Sequence, residues 1–170
     1  SCSLVGSEMC IRDRVKDYFD KKNNFWDNNS LGTMMLSPLK AFLADSGVSQ
    51  RGKITPFGEL VSTLGIDTET AWALMLCNAA YTSEINWWMK NISFNRPYTP
   101  AEIITLLTDD VPSEKSRKNV VSAFKNICSS NSILGERIGL GHCNSEQKGR
   151  VTHLLDITRT VWSSPDPLVT

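Results

Sequence analysis

Long apolar runs are missing from this sequence of 170 residues. A helix that crosses a bilayer needs roughly 18 or more consecutive apolar residues, and no stretch of the chain reaches that length. We therefore expect no transmembrane helix and no membrane partner.

Histidine is scarce, with two in the chain, and the usual patterns of nucleophilic catalysis are missing. There is no G-x-S-x-G motif, and no Ser or Cys stands near a base in a recognisable arrangement. We therefore predict no catalytic residue in this polypeptide.

Sites for cofactors and metals also lack support. The glycine cluster of Gly135, Gly139 and Gly141 has no Lys-Ser/Thr signature, so it is better explained by hairpin geometry than by phosphate binding. A zinc site would have to draw on Cys128, His142, Cys143 and His153. Because neighbours on a strand face opposite sides, adjacent residues do not easily bind one ion, and ordinary core or loop roles are favoured. The prediction is no cofactor and no metal.

Paired cysteines are missing as well. Of five cysteines, Cys2 and Cys10 lie in the unusual first fourteen residues, which leaves Cys77, Cys128 and Cys143. Three is an odd number and no CxxC pair occurs, which disfavours a disulfide framework. The pattern is typical of a reducing compartment and predicts a cytoplasmic location.

Net charge is absent, since 18 basic and 18 acidic residues cancel. The content of 41% apolar and 21% charged residues is that of a globular protein, in a chain long enough for one domain or two small ones. Binding to nucleic acid would therefore have to depend on a local basic patch.

The first fourteen residues, SCSLVGSEMCIRDR, lack an initiator Met and show no apolar period of a packed helix or strand. The string LVGSEMCIRDR resembles translated sequencing-adaptor read-through, which recurs at the ends of unrelated metagenomic reading frames. We predict that residues 1–14 are a non-native, disordered artefact and that the parent protein began further upstream; the alternative is a disordered natural terminus. Residues 15–36 are predicted to be a lead-in loop or a frayed helix.

A helical subdomain is predicted over residues 37–95. Ser37-Pro38 and Thr55-Pro56 are helix starts, in which a hydroxyl cap precedes a proline. Trp72 and Trp88 lie at helical spacing with other apolar residues and are predicted to be core, although tryptophans could also form a stacking platform. Trp87 lies on another side and is a candidate for contact with a neighbouring domain.

A second subdomain is predicted over residues 96–170. Thr99 and Glu102 form a capping box that opens a short helix, a turn follows at 109–112, and Ser113 opens a longer helix with Phe124 inward. Two short strands are predicted at 137–140 and 150–157. This is the order of a winged helix. The predicted fold class is therefore mainly α with a short β-hairpin: a compact helical domain with one or two winged-helix-like units, the weaker instance lying at 37–64.

The longer helix carries a basic cluster opposed by the single acid Glu114. Its members are Lys115, Arg117, Lys118 and Lys125. In a winged helix these residues could contact phosphates in a major groove. A solvated helix face is the favoured alternative, because nucleic-acid footprints are usually denser and the chain is neutral.

Seven blocks, in order, resemble the C-terminal helical region of large bacterial phosphoadenosine phosphosulfate reductase-like proteins. They cover residues 24–170 and read FWDNNSLGT, SPLKAFLADSGV, ITPFGELVSTLGIDTETAWALMLCNAAY, WWMKNI, YTPAEI, NVVSAFKNIC and SPDPLV. In that family an upstream nucleotide-binding domain carries an SGGKDS-type loop, which this sequence lacks, so no catalytic role is transferred to any residue. Family members continue beyond the last block, which predicts truncation at the C-terminus.

The resemblance implies a non-catalytic accessory module of a larger enzyme of sulfur or nucleotide metabolism. Its expected partner is the upstream domain of the same parent protein, which it would pack on or position. The alternative is a winged-helix module that binds nucleic acid through the basic helix at 113–129.

Overall fold

The computed structural model describes residues 8–29, 33–128, 133–149 and 151–162. The chain is mainly helical, as the sequence predicted. Its antiparallel sheets have two and three strands, whereas the sequence predicted only short hairpin strands. It divides into two compact units, and the boundary falls between Asn86 and Trp87. The predicted boundary after residue 95 differs because the indole of Trp88 already belongs to the second unit, where it donates a hydrogen bond to the Leu140 carbonyl at 3.0 Å.

The first unit combines helices with one small hairpin. Its elements are α1 (Glu8–Lys21), a 3-10 turn (Lys22–Asn24), α2 (Thr33–Asp45), β1 (Ser49–Gln50), β2 (Lys53–Ile54), α3 (Pro56–Leu64), α4 (Glu69–Ala79) and the start of α5 (Ser83–Asn91). Its most deeply buried large side chains are Val15, Tyr18, Phe25, Leu43, Val48, Val61, Trp72 and Met75. Trp72 is a core residue, as predicted, and its indole donates to the Ile66 carbonyl at 2.8 Å.

Helix α1 crosses the predicted boundary at residue 14. The Arg12 guanidinium forms an ion pair with Asp67, and Val15 and Tyr18 are fully buried. The disorder predicted through residue 14 is therefore wrong for 8–14. Residues 15–29, predicted to be part of a lead-in loop or frayed helix, contribute Val15, Tyr18 and Phe25 to the core. In the sequence, Ile11, Val15, Tyr18 and Phe19 are spaced as apolar residues on one face of a helix. The predicted boundary at residue 14 divided this pattern, so the helix was not recognised. Residues 1–7 lie outside the described part, and the adaptor origin stays a prediction.

One of the two predicted helix starts in this unit is confirmed. Thr55 caps α3, since its hydroxyl accepts the Gly58 N–H at 2.9 Å. The start predicted at Ser37 is wrong, because α2 begins at Thr33. Pro38 is the sixth residue of α2, beyond the first turn, and its missing N–H removes the backbone hydrogen bond to Met34. The proline therefore marks a weakened position inside the helix and not its start.

The second unit combines helices with a three-stranded sheet. It contains the rest of α5, β3 (Pro97–Tyr98), α6 (Pro100–Leu106), α7 (Glu114–Ile127), a π-helical turn (Ile133–Arg137), β4 (His142–Lys148) and β5 (Val151–Thr158). The strand order is β3-β5-β4 with antiparallel neighbours. In register, His142 faces Thr158 and Lys148 faces Val151, with a bulge at Asn144/Ser145.

The core of the second unit centres on an aromatic pair. The Trp88 and Phe124 ring centroids lie 4.3 Å apart, and both side chains are buried, as predicted. Arg159, late in the second unit, contacts residues near the beginning of that unit. Its Nη1 donates to the Met89 and Ile92 carbonyls at 2.7 and 3.0 Å. Its guanidinium also stacks on Phe94, 3.9 Å from the ring centroid.

The predicted strand at 137–140 is wrong, because the π-helical turn occupies 133–137 and β4 begins only at His142. Gly139 has a φ of +88°, which interrupts an extended strand. A Cβ at Gly139 would lie 2.3 Å from the Trp162 nitrogen, so this close backbone approach requires glycine. The second predicted strand is confirmed as β5.

Candidate nucleic-acid interface

Helix α7 presents one buried and one exposed side. Ser113 caps its start, accepting the Ser116 N–H at 3.4 Å, and Glu114 stands in its first turn. Val121, Phe124 and Ile127 face the core. The exposed positions along the helix are polar throughout, namely Glu114, Lys115, Ser116, Lys118, Asn119 and Ser122.

Three of the four predicted cations share the exposed side of α7. At about 100° of rotation per residue, Lys125 lies about 20° from Lys118, and Lys115 about 60° from it. Lys115 and Lys118 are exposed and Lys125 is half-buried. Their ammonium groups could therefore reach the same negatively charged surface.

The lysines of α7 differ in their partners. The Lys118 ammonium pairs with Glu114 at 2.6 Å, one helical turn away, and this contact lowers the pKa of the Glu114 carboxyl. Within the described part of the chain, the Lys115 ammonium has neither a hydrogen bond nor an ion pair. An exposed ion pair is weak, so Lys118 remains available to a stronger anionic partner.

Arg117, the fourth predicted cation, points away from the lysines. Its Nη1 donates to the carbonyls of Val111 and Pro112, at 2.7 and 2.9 Å. The side chain is half-buried, and its Nε is buried with no hydrogen-bond partner in the described part of the chain. Arg117 fastens the turn between α6 and α7, and it is not placed for a phosphate contact. Backbone carbonyls carry no sequence signature, so residue types alone could not assign this role.

Trp87 also fastens this turn. Its indole donates to the Asp110 carboxylate at 2.8 Å, and its ring stacks on Phe124 with centroids 6.2 Å apart and planes 21° apart. Trp87 was predicted to mark a domain contact, and the contacts described for it lie inside the second unit. The sequence predicted a turn at 109–112, but nothing in it indicated that Asp110 in this turn would accept the Trp87 hydrogen bond.

Acidic side chains lie at the start of α7. Asp109 and Asp110 are exposed in the turn before the helix, and Glu114 follows in the first turn. The positive side of α7 is therefore the strip through Lys115, Lys118 and Lys125.

Two of the residues considered for zinc, Cys128 and Cys143, lie in the packed part of the second unit. The Cys143 thiol donates to the Lys125 carbonyl at 3.4 Å, and Cys128 is buried. In the ranges that the structure describes, no three His, Cys, Asp or Glu side chains group closely enough to hold a metal ion.

Among the described helices, none has the length and apolar character required to cross a membrane.

Comparisons of the chain with protein-family models, with curated proteins and with solved structures found no match.

Proposed function

We propose that the second unit is a winged-helix-like module that binds nucleic acid through the lysine strip of α7. The observation that carries the proposal is the arrangement of the sheet. Helix α5 precedes β3, helices α6 and α7 lie between β3 and β4, and β5 pairs between the other two strands. In winged helices the second helix of such a pair enters the major groove and the hairpin forms the wing.

The polarity of α7 favours nucleic acid over an apolar protein partner. The large apolar side chains that are exposed in the described part of the second unit all lie outside α7. A protein interface usually has an apolar centre. Lysine, serine and asparagine instead supply hydrogen bonds to phosphates and base edges.

The charge on α7 predicts modest and salt-sensitive binding. Each phosphate contact contributes about 0.9 to the slope of log affinity against log salt. Three lysines would together contribute about 2.7. Because the acids near the start of α7 repel phosphates, we expect weak binding that is lost rapidly as salt is added.

The test is titration of mixed-sequence duplex DNA at about 50 and 200 mM salt, which spans the range where phosphate contacts change affinity by orders of magnitude. Replacing Lys115, Lys118 and Lys125 by Ala should lower the slope by about 2.7. Lys90→Ala is the control, since Lys90 is an exposed lysine at the end of α5. A folded protein with no binding at the lower salt, or an unchanged slope in the triple variant, would refute the role of α7.

A second candidate is the accessory role, in which this chain docks on an upstream nucleotide-binding domain. It is favoured by the exposed apolar side chains of the second unit, namely Phe94, Leu106, Val151, Leu155 and Val161. Apolar contacts are not screened by salt. Docking would therefore persist at salt concentrations that abolish phosphate contacts, which separates the two roles in one experiment.

A further inference from the structure

We infer that the first unit carries a second, separate contact for the phosphate backbone of nucleic acid, at the β1–β2 hairpin. The residues are Lys40, Arg51 and Lys53, which we call the basic hairpin cluster. All three side chains are exposed. This site does not depend on α7 and extends the proposed function to the other unit.

The hairpin turn holds Arg51 at its tip. Ser49 pairs with Ile54 and Gln50 with Lys53, which leaves Arg51 and Gly52 as a two-residue turn. Both have positive φ, 51° and 80°, the geometry of a type I′ turn. Lys53 follows directly on β2, so two cations project from one small loop.

Arg51 is an unusual residue for its backbone position. The first position of a type I′ turn favours Asn, Asp or Gly, because other residues are strained at positive φ. The turn itself gives no reason for an arginine. The strain therefore indicates that the guanidinium has a use outside the hairpin.

Trp26 holds the turn and brings the third cation to it. The Trp26 indole donates to the Gly52 carbonyl at 2.6 Å. The Lys40 ammonium, from α2, lies 5.8 Å from the centroid of the Trp26 ring. Asn23 adds a further tie, because its side-chain oxygen accepts the Ile54 N–H at 3.4 Å. Trp26 therefore contacts both the hairpin turn and Lys40.

The charges of the cluster are not neutralised by its neighbours. Within the described part of the chain, Lys40, Arg51 and Lys53 form no ion pair. Glu59, a nearby acid, is already held by Lys22, with oxygen–nitrogen distances of 2.8 and 2.9 Å. Asp27 is the exposed acid next to Trp26 along the chain. The three cations are therefore paired with neither of these acids.

The chemistry favours a phosphate backbone over other anionic partners. Guanidinium groups bind phosphate oxygens in a bidentate manner, and lysines act as point charges beside them. The Trp26 ring packs on Tyr18 and Phe25, with centroids 5.7 and 5.2 Å away, so it is not free to enter a bilayer or to anchor a peptide. Such a site should bind without sequence preference.

The experiment compares variants of the full chain on the same duplex and salt series. Replacing Lys40, Arg51 and Lys53 by Ala should lower the slope by about 2.7, which removes about 40-fold of the affinity change between 50 and 200 mM salt. The control is Lys16→Ala, an exposed lysine of α1. Far-UV circular dichroism and the thermal midpoint check that each variant is folded.

A single variant, Arg51→Gly, separates binding from folding. Glycine relieves the strain at positive φ, so the thermal midpoint should stay the same or rise. The slope should nevertheless fall by about 0.9, for one lost phosphate contact. A slope equal to that of the wild type overturns the inference, as does tighter binding to anionic lipid vesicles or polyglutamate than to DNA.

The α7 variants and the hairpin variants test the two sites separately. If only the α7 triple variant lowers the slope, the proposed function stands and the basic hairpin cluster is refuted. If only the hairpin variants lower the slope, the basic hairpin cluster stands and the role of α7 is refuted. A folded wild type that does not bind DNA at the lower salt refutes both.

Discussion

The two units each contain a helix that begins with Thr-Pro, at Thr55 in the first and at Thr99 in the second. In both, the threonine hydroxyl accepts the N–H of the residue three positions later, at 2.9 Å from Gly58 and 3.3 Å from Glu102. The same residue pair thus makes the same local cap.

The surroundings of the two caps differ. The Thr55 hydroxyl also donates to the Gly47 carbonyl at 2.6 Å, and Gly58 lies directly against the Val48 carbonyl. Glu102 is exposed instead, and its carboxylate accepts the Thr99 N–H at 2.8 Å to complete a capping box. The comparison shows that one sequence signal can form a packed joint in one unit and a solvated helix end in the other.

Gly58→Ala should have the largest effect of the changes at these caps. An added Cβ would lie 2.3 Å from the Val48 carbonyl oxygen and 2.8 Å from Ile54 Cγ1. The closest clash is with a backbone oxygen, which cannot rotate away, so we expect a cost at or above the upper end of the usual range of about 1–3 kcal/mol. This is well above the gain of up to about 1 kcal/mol from replacing glycine in a helix. Urea unfolding measures the difference. Glu102→Ala is the matched control at the exposed helix, and an equal or smaller loss in Gly58→Ala would contradict the packed joint.

Thr55→Ala and Thr99→Ala should differ in the same direction. Loss of a threonine cap costs about 0.5–2 kcal/mol. We expect Thr55→Ala near the upper end, because the Gly47 carbonyl also loses its donor, and Thr99→Ala near the lower end, because water replaces the lost bonds. The free energies of unfolding of the two variants check this order. Equal costs would mean that the surroundings of the cap do not matter.

The smallest of these effects is a pH dependence of stability at the Thr99 cap, in the second unit. Hydrogen bonds from the Thr99 N–H and hydroxyl lower the pKa of the Glu102 carboxyl, with a smaller contribution from Arg96. Because the folded pKa is below the unfolded one, the unfolded state binds more protons between the two values. The stabilisation is therefore present above the unfolded pKa, near 4.3, and is lost as pH falls through the folded value.

Glu102→Gln tests that pH dependence. Thermal midpoints between about pH 3 and pH 6 cover the titration of a glutamate. The wild type should lose more stability toward acid than the variant does. Parallel curves for the two proteins would show that the capping box contributes nothing through its charge.

Local signals were the most predictable part of this fold. The caps at Thr55, Thr99 and Ser113 and the buried Trp72 and Phe124 follow from cap chemistry and helical spacing, and all are found in the structure. These features depend on residues a few positions apart, so a single sequence contains them.

Contacts from side chains to backbone carbonyls were not predictable from the same patterns. Arg117 binds two turn carbonyls, and Trp26 binds the carbonyl of Gly52, and a carbonyl is identical at every residue. Sequence reasoning grouped Arg117 with the lysines because its charge was visible and its acceptor was not. The basic hairpin cluster was missed for the same reason, since Lys40 reaches Trp26 only in the fold.

The contacts of Arg159 affect the rate at which the second unit unfolds. Its hydrogen bonds to the Met89 and Ile92 carbonyls join residues 70 and 67 positions apart. Contacts of such separation require closure of a long loop, so they tend to form late in folding. An interaction formed after the transition state changes the unfolding rate and hardly changes the folding rate. We therefore expect the guanidinium of Arg159 to slow the unfolding of the second unit, and so to lengthen the lifetime of its folded state, with little effect on how fast it folds.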